Sequence, residues 1–259
     1  IDKSSMTRVQ YSTIGICFLM NILDGMDVLI ISYCAPAISE SWSLGPEALG
    51  IVFSAGLAGM TLGALFLAPY ADQFGRKKII LLSAILMGVS VLLTAYSESV
   101  NQLITLRFLS GIGIGSMLAS TAALTSEYTP NKSKDFWVSF VLSGYPVGAV
   151  ISGYIAVSII PSTGWQMMFV IAGAASIITI PLIYLFLSES IEFYLKKQPV
   201  GALEKVNKIF LKMNFNSMNK LPLIEISPTV TAVKQLLSNN YKISTLQLWS
   251  ALFFAFGCL

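Results

Sequence analysis

The sequence contains no histidine in its 259 residues, so any handling of protons falls to carboxylates, arginine or lysine. Charge of either sign is scarce. Only 11% of residues are Asp, Glu, Lys or Arg, against about 25% in an ordinary soluble domain. The net charge of +3 is small and the basic residues are separated by apolar runs, which argues against a nucleic-acid partner. Cysteine is limited to Cys17, Cys34 and Cys258. All three lie in apolar runs without metal-ligand spacing and read as buried, inert thiols. No nucleophile–base pair, metal cluster or phosphate loop is visible, so the sequence points to no enzyme and no cofactor.

What is present in excess is apolar surface. Hydrophobic residues make up 55% of the chain, more than a soluble fold of this length can hide beneath a polar surface. The alternative solvent is lipid, and the expected fold class is an all-α membrane protein. A bilayer core of about 30 Å takes roughly 20 apolar residues in helix. Six such runs lie near residues 11–36, 49–70, 79–96, 103–126, 136–160 and 165–187, and a seventh begins near 246. The expected organisation is therefore a six-helix bundle over 1–188, a central loop over 189–245, and the start of a seventh span over 246–259. Because the chain opens on Ile1 and closes inside an apolar run, it is expected to be a fragment.

Lys and Arg set the orientation of membrane proteins. With the N-terminus in the cytoplasm, fifteen of the sixteen basic residues fall on the inner side, and the sixteenth, Arg107, lies within a span. The outer loops then hold only acids, such as Glu40, Glu47 and Glu98. A multi-pass protein of the inner membrane, with its N-terminus and central loop cytoplasmic, is expected. The sequon-like Asn131-Lys132-Ser133 falls on that inner side and is discounted. In the central loop Leu203, Val206, Phe210 and Met213 recur at helical spacing, with Lys205, Lys208 and Lys212 on other faces. This pattern fits either a basic amphipathic helix on the inner leaflet or a solvated linker helix.

Between the second and third runs the chain reads Gly59-x8-Ala68-Pro69-Tyr70-Ala71-Asp72-Gln73-Phe74-Gly75-Arg76-Lys77-Lys78. Gly75 permits a sharp reversal between antiparallel helices, and Asp72 and Arg76 supply charges at helix ends. The stretch resembles the signature of the major facilitator superfamily, with Ala68 in place of a second glycine and Gln73 in place of a basic residue. Further resemblance lies in Arg107-x3-Gly111-x-Gly113-x-Gly115, in Gly144-Tyr145-Pro146-x-Gly148-x4-Gly153, and in the span ends Glu127-Tyr128-x-Pro130 and Ser188-Glu189-Ser190. The resemblance implies the N-terminal half of a twelve-helix secondary transporter whose C-terminal half is missing here. It also implies a cytoplasmic gate at Asp72, Gly75, Arg76, Lys77 and Glu127. Alone, the glycine runs fit simple helix packing, and Glu127 and Glu189 fit either pairing with basic residues or solvation.

Within the first span stands Asp24-Gly25-Met26-Asp27, which is similar to the motif of the aromatic acid:proton symporter family. Asp24, Asp27 and Arg107 are the ionisable residues well inside the spans. A charge at mid-bilayer costs about 2.5–3.5 kcal/mol on insertion scales, so its default reading is functional. Three residues apart, the two acids share a helix face. At about 1.5 Å per residue, Asp27 and Arg107 both lie roughly 10 Å from the outer ends of their spans and Asp24 roughly 15 Å. The expected function is proton-coupled symport of a small organic anion. Asp27 is assigned to proton coupling, Asp24 to orienting substrate, and Arg107 to the substrate carboxylate or the proton relay. Tyr33, Tyr145 and Tyr154 are candidates to stack on an aromatic substrate, although tyrosine is equally common at membrane interfaces. Three alternatives stand beside this reading: a static ion pair at Arg107, a porter of sugars, drugs or neutral metabolites, and a non-transporting receptor on the same scaffold.

Overall fold

The structure is a computed structural model, described here over residues 6–222, 238 and 241–257. Among the described residues every regular element is helical. Six helices are long and apolar enough to cross a membrane: α1 (Arg8–Trp42), α2 (Pro46–Phe74), α3 (Arg76–Thr94), α4 (Val100–Tyr128), α5 (Asn131–Thr163) and α6 (Gln166–Phe186). Lipid offers no hydrogen bonds, so a spanning segment must satisfy its backbone internally, and a helix does so. Each helix overlaps one of the six apolar runs of the sequence; four contain their run whole, while α3 ends two residues short of its run and α6 falls one residue short at each end. Pro36 lies within α1 without ending it.

The chain divides into two compact units, 1–222 and 223–259. The first holds the six spans and two short helices, α7 (Ile191–Lys197) and α8 (Ala202–Lys212). The second holds α9 (Lys242–Gly257), in which the expected start of a seventh span falls. The connector from 223 to 237 lies outside the described residues, as does Cys258.

Most neighbours in the bundle are not neighbours in sequence, α3 and α4 being the chief exception. Both α2 and α3 pack on α4, α5 packs on α1, and α6 packs on α3 and α1. Glycines permit these crossings. A Cβ on Gly63 would meet the backbone of Ile112, and one on Gly115 would meet the backbone of Met60. The α2–α4 crossing is therefore backbone against backbone, the small-residue packing on which helices in lipid rely. Gly25, between the two acids of α1, stands in the same way against the backbone of Tyr145 in α5.

Two spans carry local irregularities. The helix of α5 breaks at Ser143, where Pro146, three residues on, cannot donate to the carbonyl of Leu142 and crowds it. In α2 a π turn covers Gly63–Leu67 and a 3-10 turn covers Ala68–Tyr70.

The amphipathic pattern of 202–213 does form a helix, α8. Its apolar face is covered by protein, with Val206 and Met213 fully buried and Ile209 and Phe210 packed against the core. An isolated helix of this length is marginal in water, so it takes its stability from that packing. Lys205, Lys208 and Lys212 stay exposed on the opposite side.

Candidate functional site

The three ionisable residues within the spans are buried together on adjoining helices. Arg107 of α4 donates from Nη1 to Asp27 Oδ1 of α1 at 2.8 Å, and their side chains are 5% and 2% exposed. On its other side the guanidinium lies over the ring of Phe169 in α6, 5.1 Å from the centroid, a cation–π contact. Phe169 is itself fully buried. Asp24 is also fully buried. Neither of its carboxyl oxygens has a hydrogen-bond partner among the described residues, nor do Asp27 Oδ2 and Arg107 Nε and Nη2. Buried polar groups are normally satisfied, so this concentration of unsatisfied atoms singles the cluster out as the candidate site.

A cavity of about 140 Å³ opens beside the pair. It is lined by Asp27 and Ser32 of α1, Phe53 and Gly56 of α2, and Arg107 and Ser110 of α4. Complete small-molecule sites run to about 300–1,000 Å³, so this volume suits one wall of a larger site.

The tyrosines divide. Tyr145 is half-buried, with its backbone against Gly25 between the two acids. Tyr33 donates from its hydroxyl to the carbonyl of Ala149 at 3.2 Å and so ties α1 to α5. Tyr154 is 81% exposed.

A second cluster sits at the end of the bundle that carries the α2–α3 turn. Gly75 makes that turn alone, at φ +105°, a conformation open to glycine and strained for other residues. Arg76 then lies within 3.0 Å of Glu127 at the end of α4, 3.4 Å of Asp72 and 3.6 Å of Glu192 in α7. Glu127 is 9% exposed and Asp72 is 73% exposed, so the arginine is anchored inward while the aspartate faces out. Glu127 also accepts from Ser190 Oγ at 2.6 Å.

Glu189 takes a position the sequence did not suggest. Its Oε1 accepts the backbone N–H of Lys77 and of Ser190, each at 2.9 Å. It therefore caps the first turn of α3, where an anion is favoured by the helix dipole, instead of pairing with a side-chain cation. Lys77 Nζ donates to the carbonyl of Tyr184 at 2.8 Å. Tyr128, fully buried, donates to the Glu189 carbonyl at 2.7 Å. Outside the spans, Glu192 is held below the usual carboxylate range, first by the hydrogen bond from Lys196 and then by the charges of Lys196 and Arg76.

The site residues read from sequence thus fall into one of two clusters, except Tyr33, on the α1–α5 seam, and Tyr154, which is exposed and apart from both clusters. Phe169 and Glu192 were missed, and Ser190 was read only as part of a span end. A phenylalanine in an apolar span carries no distinguishing signal, whereas Ser190 and Glu192 follow directly on the Ser188-Glu189 end of the sixth span. Cys17 and Cys34 are free and buried. Among the described residues no group of His, Cys, Asp and Glu is placed to hold a metal.

The chain resembles known proteins along its whole length. It is 36% identical over 197 residues to the 4-hydroxybenzoate transporter PcaK of Acinetobacter baylyi, covering 76% of this chain and 43% of that protein. It is 29% identical over 254 residues to the gallate transporter of Pseudomonas putida, covering 98% of this chain and 57% of that one. The chain spans about half the length of the curated relatives it matches. Among solved structures, the proton:xylose symporter XylE bound to 6-bromo-6-deoxy-D-glucose superposes with a TM-score of 0.70 at 18% identity, over 92% of this chain and 53% of that one. That likeness speaks for the fold. Residues 17–259 match the Major Facilitator Superfamily profile, and the chain belongs to that superfamily.

Proposed function

We propose that the chain forms one wall of the substrate site of a secondary transporter that carries a small organic acid, aromatic by analogy with its relatives, together with a proton. The observation that carries the proposal is the state of Arg107. It is held by Asp27 through one nitrogen, while two others stand unpartnered at the wall of a cavity. A planar guanidinium suits bidentate capture of a carboxylate. A substrate anion taking these donors shares the arginine's charge with Asp27 and weakens its hold on that carboxylate, which then accepts a proton. One anion and one proton enter together, so the charge of the buried site is unchanged. This matters because an uncompensated charge in such a place is costly. Asp24, with both oxygens unsatisfied, orients the polar groups of the substrate, and the rings of Tyr145 and Tyr33 offer faces for stacking.

Transport in this class rocks two six-helix halves about a midplane site, so the second half supplies the facing wall. The distribution of Lys and Arg supports a cytoplasmic N-terminus and central loop in the inner membrane. On that side Asp72, Gly75, Arg76, Lys77 and Glu127 serve as the gate. Within it Arg76 and Glu127 hold this half together, and the outward-facing Asp72 is the group available to the other half.

The test is uptake of labelled benzoate-type acids by cells carrying the complete gene, with and without a protonophore. Uptake that collapses with the proton gradient is expected. Uptake indifferent to the gradient would remove proton coupling. Uptake no greater than in control cells, with the protein present in the membrane, would remove the aromatic acid and turn the search to sugars, drugs and neutral metabolites. Asp27→Asn should abolish gradient-driven uptake while leaving membrane levels unchanged, and wild-type uptake by this variant would sink the role given to Asp27.

A further inference from the structure

A pocket of about 470 Å³ lies at the same end of the bundle, between the start of α3, the end of α6, and α7 and α8. Five lysines line it: Lys77, Lys78, Lys205, Lys208 and Lys212. Glu189 is the one carboxylate in the lining, and its Oε1 is already engaged by two backbone N–H groups. The five lysines less this one carboxylate leave a net of four positive charges. Lys77 and Lys212 are close enough to act on each other electrostatically. Among the described residues, Lys78, Lys205, Lys208 and Lys212 form no ion pair. Folding has therefore gathered five like charges from two distant stretches of chain against a single carboxylate, an arrangement that costs stability unless a further anion comes from outside.

We infer that this pocket binds the phosphate headgroup of an anionic phospholipid. The shared chemistry is a phosphate anion held by several lysines, and a second feature selects a lipid over a free phosphate. The faces of α3 and α6 that lead away from the pocket are apolar and exposed, at Leu82 and Ile85 on one helix and Leu182, Leu185 and Phe186 on the other. These helices pack together, and their exposed apolar residues offer a path for acyl chains. Tyr184 and Tyr194 stand in the lining, each with a lysine over its ring, at 5.6 Å and 5.8 Å. Amphipathic rings of this kind settle at headgroup depth. Basic pockets at helix ends are a recurrent means of holding anionic headgroups. The position of α8 follows: its apolar face is taken by protein, and its lysines complete the headgroup site from outside the span.

Native mass spectrometry of the complete protein in detergent tests the inference. It is incubated with phosphatidylglycerol, with phosphatidylcholine, or with inorganic phosphate competing against phosphatidylglycerol. One tightly retained phosphatidylglycerol is expected, with little phosphatidylcholine retained and little competition from phosphate. Retention should fall by about fivefold for each of Lys205→Gln, Lys208→Gln and Lys212→Gln, given roughly 1 kcal/mol per lysine near an anionic surface. The combined Lys132→Gln, Lys134→Gln and Lys220→Gln variant, which removes equal charge outside the pocket, should retain the lipid as wild type does. The combined Lys205→Gln, Lys208→Gln and Lys212→Gln variant is its counterpart and should lose the lipid; if it fails to fold, the single variants and the charge-keeping Lys→Arg triple carry the comparison. Equal retention in pocket and control variants would overturn the inference, as would equal retention of the two lipids. Full competition by inorganic phosphate would reduce the pocket to a free-phosphate site and overturn the lipid.

Discussion

Arg107 is gripped from two sides, by the carboxylate of Asp27 and by the face of Phe169, and the two roles open to this pair predict different variants. If the pair only fastens α1 to α4, its value lies in stability. Removing the arginine alone leaves a buried, unpaired carboxylate at a cost of about 3–5 kcal/mol, so Arg107→Ala should unfold at markedly lower temperature in detergent. The double variant Asp27→Asn with Arg107→Gln removes both charges and should recover most of that loss. Under the proposed function it should recover no uptake, and recovery of both would reduce the pair to a fastening. Arg107→Lys keeps the charge but lacks the planar fork, and uptake should fall at least about tenfold while stability changes little. The Asp27–Arg107 contact was legible in the sequence because lipid makes charge expensive, so the few charges within spans stand out and depth counting pairs them. Phe169 was illegible for the opposite reason: in an apolar span its ring is ordinary. That Asp24 is left without a partner is a product of packing that spacing alone does not report.

At the scale of the helix, the α2–α3 turn concentrates several demands on a few residues. Gly75 combines a positive φ with a close approach: a Cβ there would press into the Glu189 carboxylate. Gly75→Ala should therefore cost about 1–3 kcal/mol and displace the anion that caps α3. Comparison with Glu189→Gln in thermal unfolding separates the parts, since that substitution weakens the cap and leaves the turn unstrained. Equal stability of Gly75→Ala and wild type would show that the turn relaxes. The sequence made the turn and its charges legible through the spacing of Asp72, Gly75 and Arg76. It did not show that Glu189, more than a hundred residues later, serves backbone N–H groups and not a lysine side chain. The helical period of 202–213 was equally plain, but its apolar face could have met lipid, water or protein, and only the folded bundle identifies protein.

For the molecule as a whole, hydropathy yields the number of spans because lipid imposes a minimum apolar length on each of them. It says nothing of adjacency, and the pairing of α1 with α5 or α3 with α6 rests on which glycines meet which backbones. The proposed orientation is open to direct measurement. In a Cys258→Ser background the buried Cys17 and Cys34 should stay silent to an impermeant maleimide. Ser97→Cys in the α3–α4 loop should then label in intact cells, and Lys132→Cys only after the membrane is opened. The reverse pattern would invert the topology and move the gate to the outer side.

The contact between Asp27 and Arg107 also spans 80 residues of chain, and that separation has a meaning in time. At about 5–20 residues per second of synthesis, roughly 4–16 s pass between the making of the acid and the making of its base. Through that interval the first helix exists with two carboxylates and neither α4 nor α5 to receive them. A nascent α1 is therefore poorly suited to open lipid and is best sheltered at the insertion machinery until the fourth helix emerges, which makes the ion pair a checkpoint in the birth of the protein as well as a part of its finished form.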